Sequence, residues 1–154
     1  MNAINVMTLA VTSVEPQMLI EDARALMLSL TARHLPVVSN GKLVGIVCDR
    51  DLQLSASHDG AGFSYPSLQV GEVMTADPLT ADMGTSVMQL ARLMLEHKVD
   101  AIPIVTKLGL LVGLVTSSDM LHVVQRLLCQ PGTRCVFPRQ GARASLPSAS
   151  PGMR

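Results

Sequence analysis

The sequence predicts an α/β protein built from two copies of one β-α-β-β-α unit. Three observations carry that expectation. The tripeptide Val6-Met7-Thr8 recurs as Val73-Met74-Thr75, and further apolar residues, a Pro, a Gly and an Asp recur in step after it. Apolar residues keep helical spacing over one segment of each copy. Short apolar runs around turn residues then succeed each helical segment.

The tripeptide opens each copy as a short strand. A helix comes next, with Ile20, Ala23, Met27 and Leu30 on one face in the first copy and Val87, Leu90, Ala91 and Met94 in the second. Leu26-Met27-Leu28 aligns with Leu93-Met94-Leu95, Pro36 with Pro103, and Val38 with Val105. Two apolar runs, Leu35 to Ser39 and Leu43 to Cys48, are joined by Asn40-Gly41, a pair that takes the positive φ of a tight hairpin. Ile102 to Thr106 and Leu110 to Thr116 repeat the hairpin around Gly109. These runs are apolar on both faces and are expected to be buried. A second helix closes each copy, from about Asp49 to Ser57 and from about Ser117 to Leu128, with Ser, Thr or Asp as caps and first-turn acids.

The expected organisation is repeat 1 over 1–57, a linker over 58–69 marked by Gly60, Gly62 and Pro66, repeat 2 over 70–130, and a poorly ordered basic tail over 131–154. No acidic residue comes after Asp119, whereas Arg126, Arg134, Arg139, Arg143 and Arg154 do.

Composition narrows the function classes. With 48% hydrophobic and 16% charged residues the chain can bury a core, but it has no Trp, one Tyr and two Phe. Leu, Val, Ile, Ala and Met must fill that core, and aromatic platforms for stacking nucleic-acid bases are almost absent. Basic and acidic residues balance at 12 each, so no overall field attracts nucleic acid or an anionic membrane. No apolar run reaches the roughly 18 residues of a membrane span. Cys48, Cys129 and Cys135 lack CxxC spacing, and the first residues lack the order of a secretory signal, so a reducing cytoplasmic setting is expected. The histidines 34, 58, 97 and 122 have no metal spacing and read as surface or hairpin-packing residues. No nucleophile elbow, phosphate-binding Gly-rich loop or paired-carboxylate constellation is present, so neither enzyme chemistry nor a catalytic cofactor is expected.

From Val6 to Leu128 each copy resembles a CBS domain, named for cystathionine beta-synthase. The resemblance rests on the Val-Met-Thr opening, the apolar runs around Pro36 and Pro103, and the segments Gly45 to Asp51 and Gly113 to Asp119. It implies two repeats packed sheet to sheet with pseudo-twofold symmetry, a ligand cleft related to each repeat, and a homodimer. It further implies a stand-alone regulatory pair that binds an adenine nucleotide (AMP, ADP or ATP) between the repeats and signals to an effector protein in trans.

Carried over by residue, the resemblance assigns Thr116 to phosphate and Asp119 to the ribose hydroxyls, with Gly113 and Ser117 beside them. Thr80 would lie near the base, and the backbone at Ala101 and Ile102, before Pro103, would read the adenine edge. A carboxylate is acceptor-only and suits a vicinal diol, while a hydroxyl can donate to phosphate. The first copy offers a weaker set: Ser13, Leu35, Gly45, Cys48, Arg50 and Asp51. Cys48 replaces the Thr there, and a thiol is a poorer donor; Arg50 offers a compensating cation.

Alternatives remain open on the residues. Thr116 and Asp119, like Cys48 and Asp51, also fit ordinary helix caps, and Gly45 and Gly113 also fit strand glycines that admit close backbone approach. The substitution of Cys48 equally suits a ligand-free dimerisation scaffold. S-adenosylmethionine and NADH share the adenosine that the cleft would read.

Overall fold

The computed structural model describes residues 1–55, 57–58, 63–64 and 67–128. The expected tail over 131–154, Cys129, Cys135 and the linker residues Gly60, Gly62 and Pro66 lie outside the described residues. In chain order the elements are β1 (Thr8–Leu9), α1 (Ile20–Leu30), β2 (His34–Ser39), β3 (Lys42–Cys48) and α2 (Asp49–Leu54). A pair of two-residue strands, β4 (Ser57–His58) and β5 (Phe63–Ser64), comes next, from the expected end of repeat 1 into the stretch expected as a linker. The second copy runs α3 (Val70–Val73), β6 (Thr75–Ala76), α4 (Val87–His97), β7 (Ala101–Val105), β8 (Leu111–Thr116) and α5 (Ser117–Leu128).

Local backbone chemistry repeats as faithfully as the sequence. Asn40 and Gly41 take φ of 51° and 77° in the first hairpin, and Gly109 takes 78° in the second. Thr31 and Lys98 end α1 and α4 in the left-handed region at φ of 52° and 54°, which releases the chain toward β2 and β7. Ala10 and Asp77 share the same unusual conformation just after β1 and β6.

The opening strands are exchanged between the copies. β1 does not pair within its own copy; it adds to β8, with Thr8 opposite Leu114 and Leu9 opposite Gly113. Reciprocally, β6 adds to β3, with Gly45 opposite Ala76 and Ile46 opposite Thr75. Each three-stranded sheet, β1-β8-β7 and β2-β3-β6, therefore contains one strand donated by the other copy. On the far side of each sheet the copy's own chain returns: Val14 N–H donates to Pro36 O at 3.0 Å and Ala81 N–H to Pro103 O at 3.1 Å.

The cores obey the same exchange. One gathers Val14, Ile20, Ala23, Met27, Leu35, Val37, Val47 and Leu52 with Val70 from the second copy. The other gathers Leu90, Met94, Ile102, Ile104 and Val115 with Ala3 and Met7 from the first. Leu30, expected on the buried stripe of α1, is exposed at that helix's end. Neither sheet is complete without the other copy, so the pair is one structural unit. Among the described residues no helix is long and apolar enough to cross a membrane.

Candidate functional site

The exchange brings the two copies together around a cleft of about 400 Å³. That volume falls at the small end of the about 300–1,000 Å³ range of ligand pockets. One wall is the segment leaving β1: Thr8, Ala10, Val11 and Thr12. A second is residues 30–35, running from the end of α1 into β2. The third comes from the other copy, with Asp100, Leu114, Thr116, Ser117 and Ser118. Among the described residues no Phe, Tyr or Trp lines it; Val11, Leu30, Leu35 and Leu114 supply most of the apolar surface.

The third wall is the junction of β8 with α5, and its geometry is set by capping. Four N–H groups at a helix start lack partners within the helix. Thr116 N–H and Thr116 Oγ1 both donate to Asp119 Oδ2, each at 2.7 Å, and Asp119 N–H donates back to Thr116 Oγ1 at 3.4 Å. The carboxylate thus spends one oxygen on the cap and leaves Oδ1 uncommitted among the described residues. In the first copy Cys48 N–H donates to Asp51 Oδ2 at 2.9 Å, so the same backbone turn forms without a hydroxyl. Burial pushes the Cys48 thiol above its ordinary value, and its hydrogen bond to Asp51 pushes it further. Cys48 therefore stays a neutral thiol near pH 7.

The two expected site sets are not kept apart by copy. Thr116 and Ser117, from the set expected around Asp119, share the cleft with Leu35 from the set expected around Asp51. Asp119 stands behind Thr116 through the cap. Thr80, expected beside the base in that same set, is exposed and precedes Ala81 at the opposite edge of the β7 sheet, outside the cleft lining. Ala101, Ile102 and Pro103 are buried in β7 and also outside the lining. In the weaker set, Ser13, Gly45, Cys48, Arg50 and Asp51 lie outside it as well. The cleft mixes the copies for one reason: a strand exchanged between copies carries the first copy's post-strand residues to the second copy's helix start.

Gly113 and Gly45 have a structural role that is visible directly. A Cβ at Gly113 would stand 2.8 Å from both Met7 Sδ and the Thr8 carbonyl oxygen, and one at Gly45 would meet Met74 Sδ and stand 3.1 Å from the Thr75 carbonyl oxygen. Each glycine admits the methionine and backbone of the exchanged strand.

Sequence reasoning missed Thr8, Val11, Thr12, Arg33, His34, Asp100 and Ser118. His34, read as a surface or hairpin-packing residue at a helix end, is half-buried as the first residue of the β2–β3 hairpin, opposite Cys48. Burial, with Arg33 beside it, lowers its pKa from the ordinary 6.5, while Asp100, Asp49 and Asp51 pull the other way. One signal points to part of this set: the backbone just before Pro103 is expected to read a ligand, and the same reasoning applied to Pro36 selects His34 and Leu35.

Comparison with known proteins places this architecture. A family model described as the CBS domain matches residues 3–55 and 70–126. The CBS domain-containing protein YhcV of Bacillus subtilis is 32% identical over 114 residues, covering 74% of this chain and 79% of that protein. Inosine-5'-monophosphate dehydrogenase of Korarchaeum cryptofilum is 34% identical over 112 residues, 73% of this chain. The match spans only 22% of that enzyme. The crystal structure of CBSX2, a CBS-pair protein from Arabidopsis thaliana, in complex with AMP superposes with a TM-score of 0.71. It is 27% identical, with 82% of this chain and 97% of that chain covered. Matched over both copies by the family model and along most of its length by a small relative of the same kind, this chain belongs to the CBS-domain family.

Proposed function

We propose that this chain is a regulatory ligand-binding module that takes an adenosine-containing small molecule in the inter-repeat cleft and passes its occupancy to a partner protein. The observation that carries the reading is the composition of the cleft: a helix start with hydroxyl side chains from one repeat faces an apolar strand segment from the other. A ligand there touches both repeats at once. It therefore binds one relative arrangement of the repeats better than another, which is the requirement for regulation. AMP, ADP and ATP are the first ligands to try, since CBSX2 is a similar protein solved with AMP. Binding at this place involves no bond making. Residues of the described chain would orient the ligand through Thr116, Ser117 and Ser118 hydroxyls and backbone N–H groups.

The test is differential scanning fluorimetry with AMP, ADP, ATP, S-adenosylmethionine, NADH and GTP. Ligand at about 100 times its Kd adds roughly 2.7 kcal/mol. Asp119→Ala is a poor probe, because it removes the α5 cap along with any ligand contact. Ser118→Trp instead fills the cleft from an exposed position outside the cap, and Thr80→Ala touches only the base contact that the sequence suggests. The expected result is a shift with adenosine compounds that Ser118→Trp abolishes and Thr80→Ala keeps. No shift with any compound at millimolar concentration, for protein shown to be free of nucleotide, leaves the dimerisation scaffold as the better reading.

A further inference from the structure

Of the described residues that line the cleft, Arg33 and Asp100 are charged at neutral pH, and His34 is the one whose charge changes near it. His34 opens β2, is half-buried, and is paired across the hairpin with Cys48 on β3. Titratable groups face its ring from each neighbouring element: Arg33 beside it, the Cys48 thiol opposite, Asp49 and Asp51 on α2, and Asp100 just before β7 of the other repeat. Backbone bonds fasten these groups. Asp49 N–H donates to Arg33 O at 3.0 Å, Asp51 Oδ2 accepts Cys48 N–H at 2.9 Å, and Asp100 O accepts Ser117 N–H at 2.9 Å. The imidazole itself makes no hydrogen bond or ion pair among the described residues. It has one N–H to offer a ligand when neutral and two when protonated.

Without ligand, burial and Arg33 favour the neutral ring, and the three acids oppose them. An anionic group resting against Thr116, Ser117 and Ser118 enters the same cleft and offsets Arg33, which favours the imidazolium. We infer that His34 makes the cleft a proton-linked site, which takes up a proton on His34 together with an anionic ligand and holds that ligand more tightly as the pH falls. Linkage sets the window. Affinity is constant above the pKa of His34 in the complex, rises as pH falls through it, and levels off below the pKa of the free chain, which lies under 6.5. An uncharged ligand shows no such rise. The inference rests on the cleft being an adenosine site and adds a regulation of that site.

Isothermal titration of the full chain between about pH 7.5 and about pH 5.5 tests it. The probes are adenosine, which is uncharged, and adenosine 5′-sulfate, which stays anionic throughout, unlike a phosphate monoester with its second pKa of about 6. Adenosine 5′-sulfate should bind at least about threefold tighter at the lower pH, while adenosine stays within about 1.5-fold. Proton uptake should appear as a binding heat that depends on the ionisation enthalpy of the buffer. His34→Gln should abolish both the gain and the uptake. Asp100→Asn, at an exposed position, should keep the gain but move it to lower pH, because one charge that favours the imidazolium is gone. That shift decides the matter if circular dichroism shows that His34→Gln does not fold. Flat affinity for adenosine 5′-sulfate, a gain shared by adenosine, or a gain that persists in His34→Gln overturns the linkage while the adenosine site stands. Binding of neither probe at any pH overturns the site and the linkage together.

Discussion

Gly113→Ala is the sharpest probe of how closely β1 packs on β8. The new methyl group stands 2.8 Å from Met7 Sδ and 2.8 Å from the Thr8 carbonyl oxygen. The thioether can rotate away, but Thr8 is paired with Leu114, and its carbonyl moves only if β1 lifts off β8. Adding a methyl to a filled core costs about 1–3 kcal/mol. Restricting the unfolded chain returns about 0.4–1 kcal/mol. The net loss centres on about 1–2 kcal/mol, a fall in Tm of roughly 2–8 °C for a protein of this size. Gly84→Ala is the control, because its methyl meets only the Asp82 side chain, at 3.2 Å, and should stay within about 0.5 kcal/mol. Urea unfolding monitored by circular dichroism measures both. A Gly113→Ala midpoint no lower than that of Gly84→Ala would refute the close packing of an opening strand against Gly113.

Two other outcomes are expected from the site. His34 has a folded-state pKa below its unfolded value of about 6.5. Its neutral form is favoured in the folded state, so the stability it contributes is present above pH 6.5 and is lost as pH falls through that value toward the lower folded pKa. His34→Gln should flatten the fall of the urea midpoint between about pH 7 and 5.5, and an unchanged slope would show that His34 titrates alike in both states. The two caps differ by one oxygen: Thr116→Val should cost about 1 kcal/mol, whereas Cys48→Thr should gain a few tenths to about 1 kcal/mol by supplying Asp51 with the hydroxyl that Asp119 already has. Thermal melts of the two variants should move in opposite directions, and movement in the same direction would contradict the cap geometry.

A residue's sequence neighbours decide only its local conformation and its face. Asn40-Gly41 and Gly109 turn as expected because positive φ is a local property. Ile20, Ala23 and Met27 are buried because a period of 3.6 residues places them on one stripe of α1. The repeat register by itself sets Cys48 against Thr116, and both stand at helix starts with the Asp three residues later as cap. Duplication, however, hides the partner choice. Val6-Met7-Thr8 and Val73-Met74-Thr75 are the same tripeptide, so either fits either sheet by sequence, and Gly45 and Gly113 offer the same opening to both. Only packing decides that Met7 covers Gly113 and Met74 covers Gly45. That choice carries Thr8 to Thr12 and the Arg33-His34-Leu35 segment to Thr116. The residues that share the cleft are far apart in sequence and belong to different copies, a fact that no spacing along the chain contains.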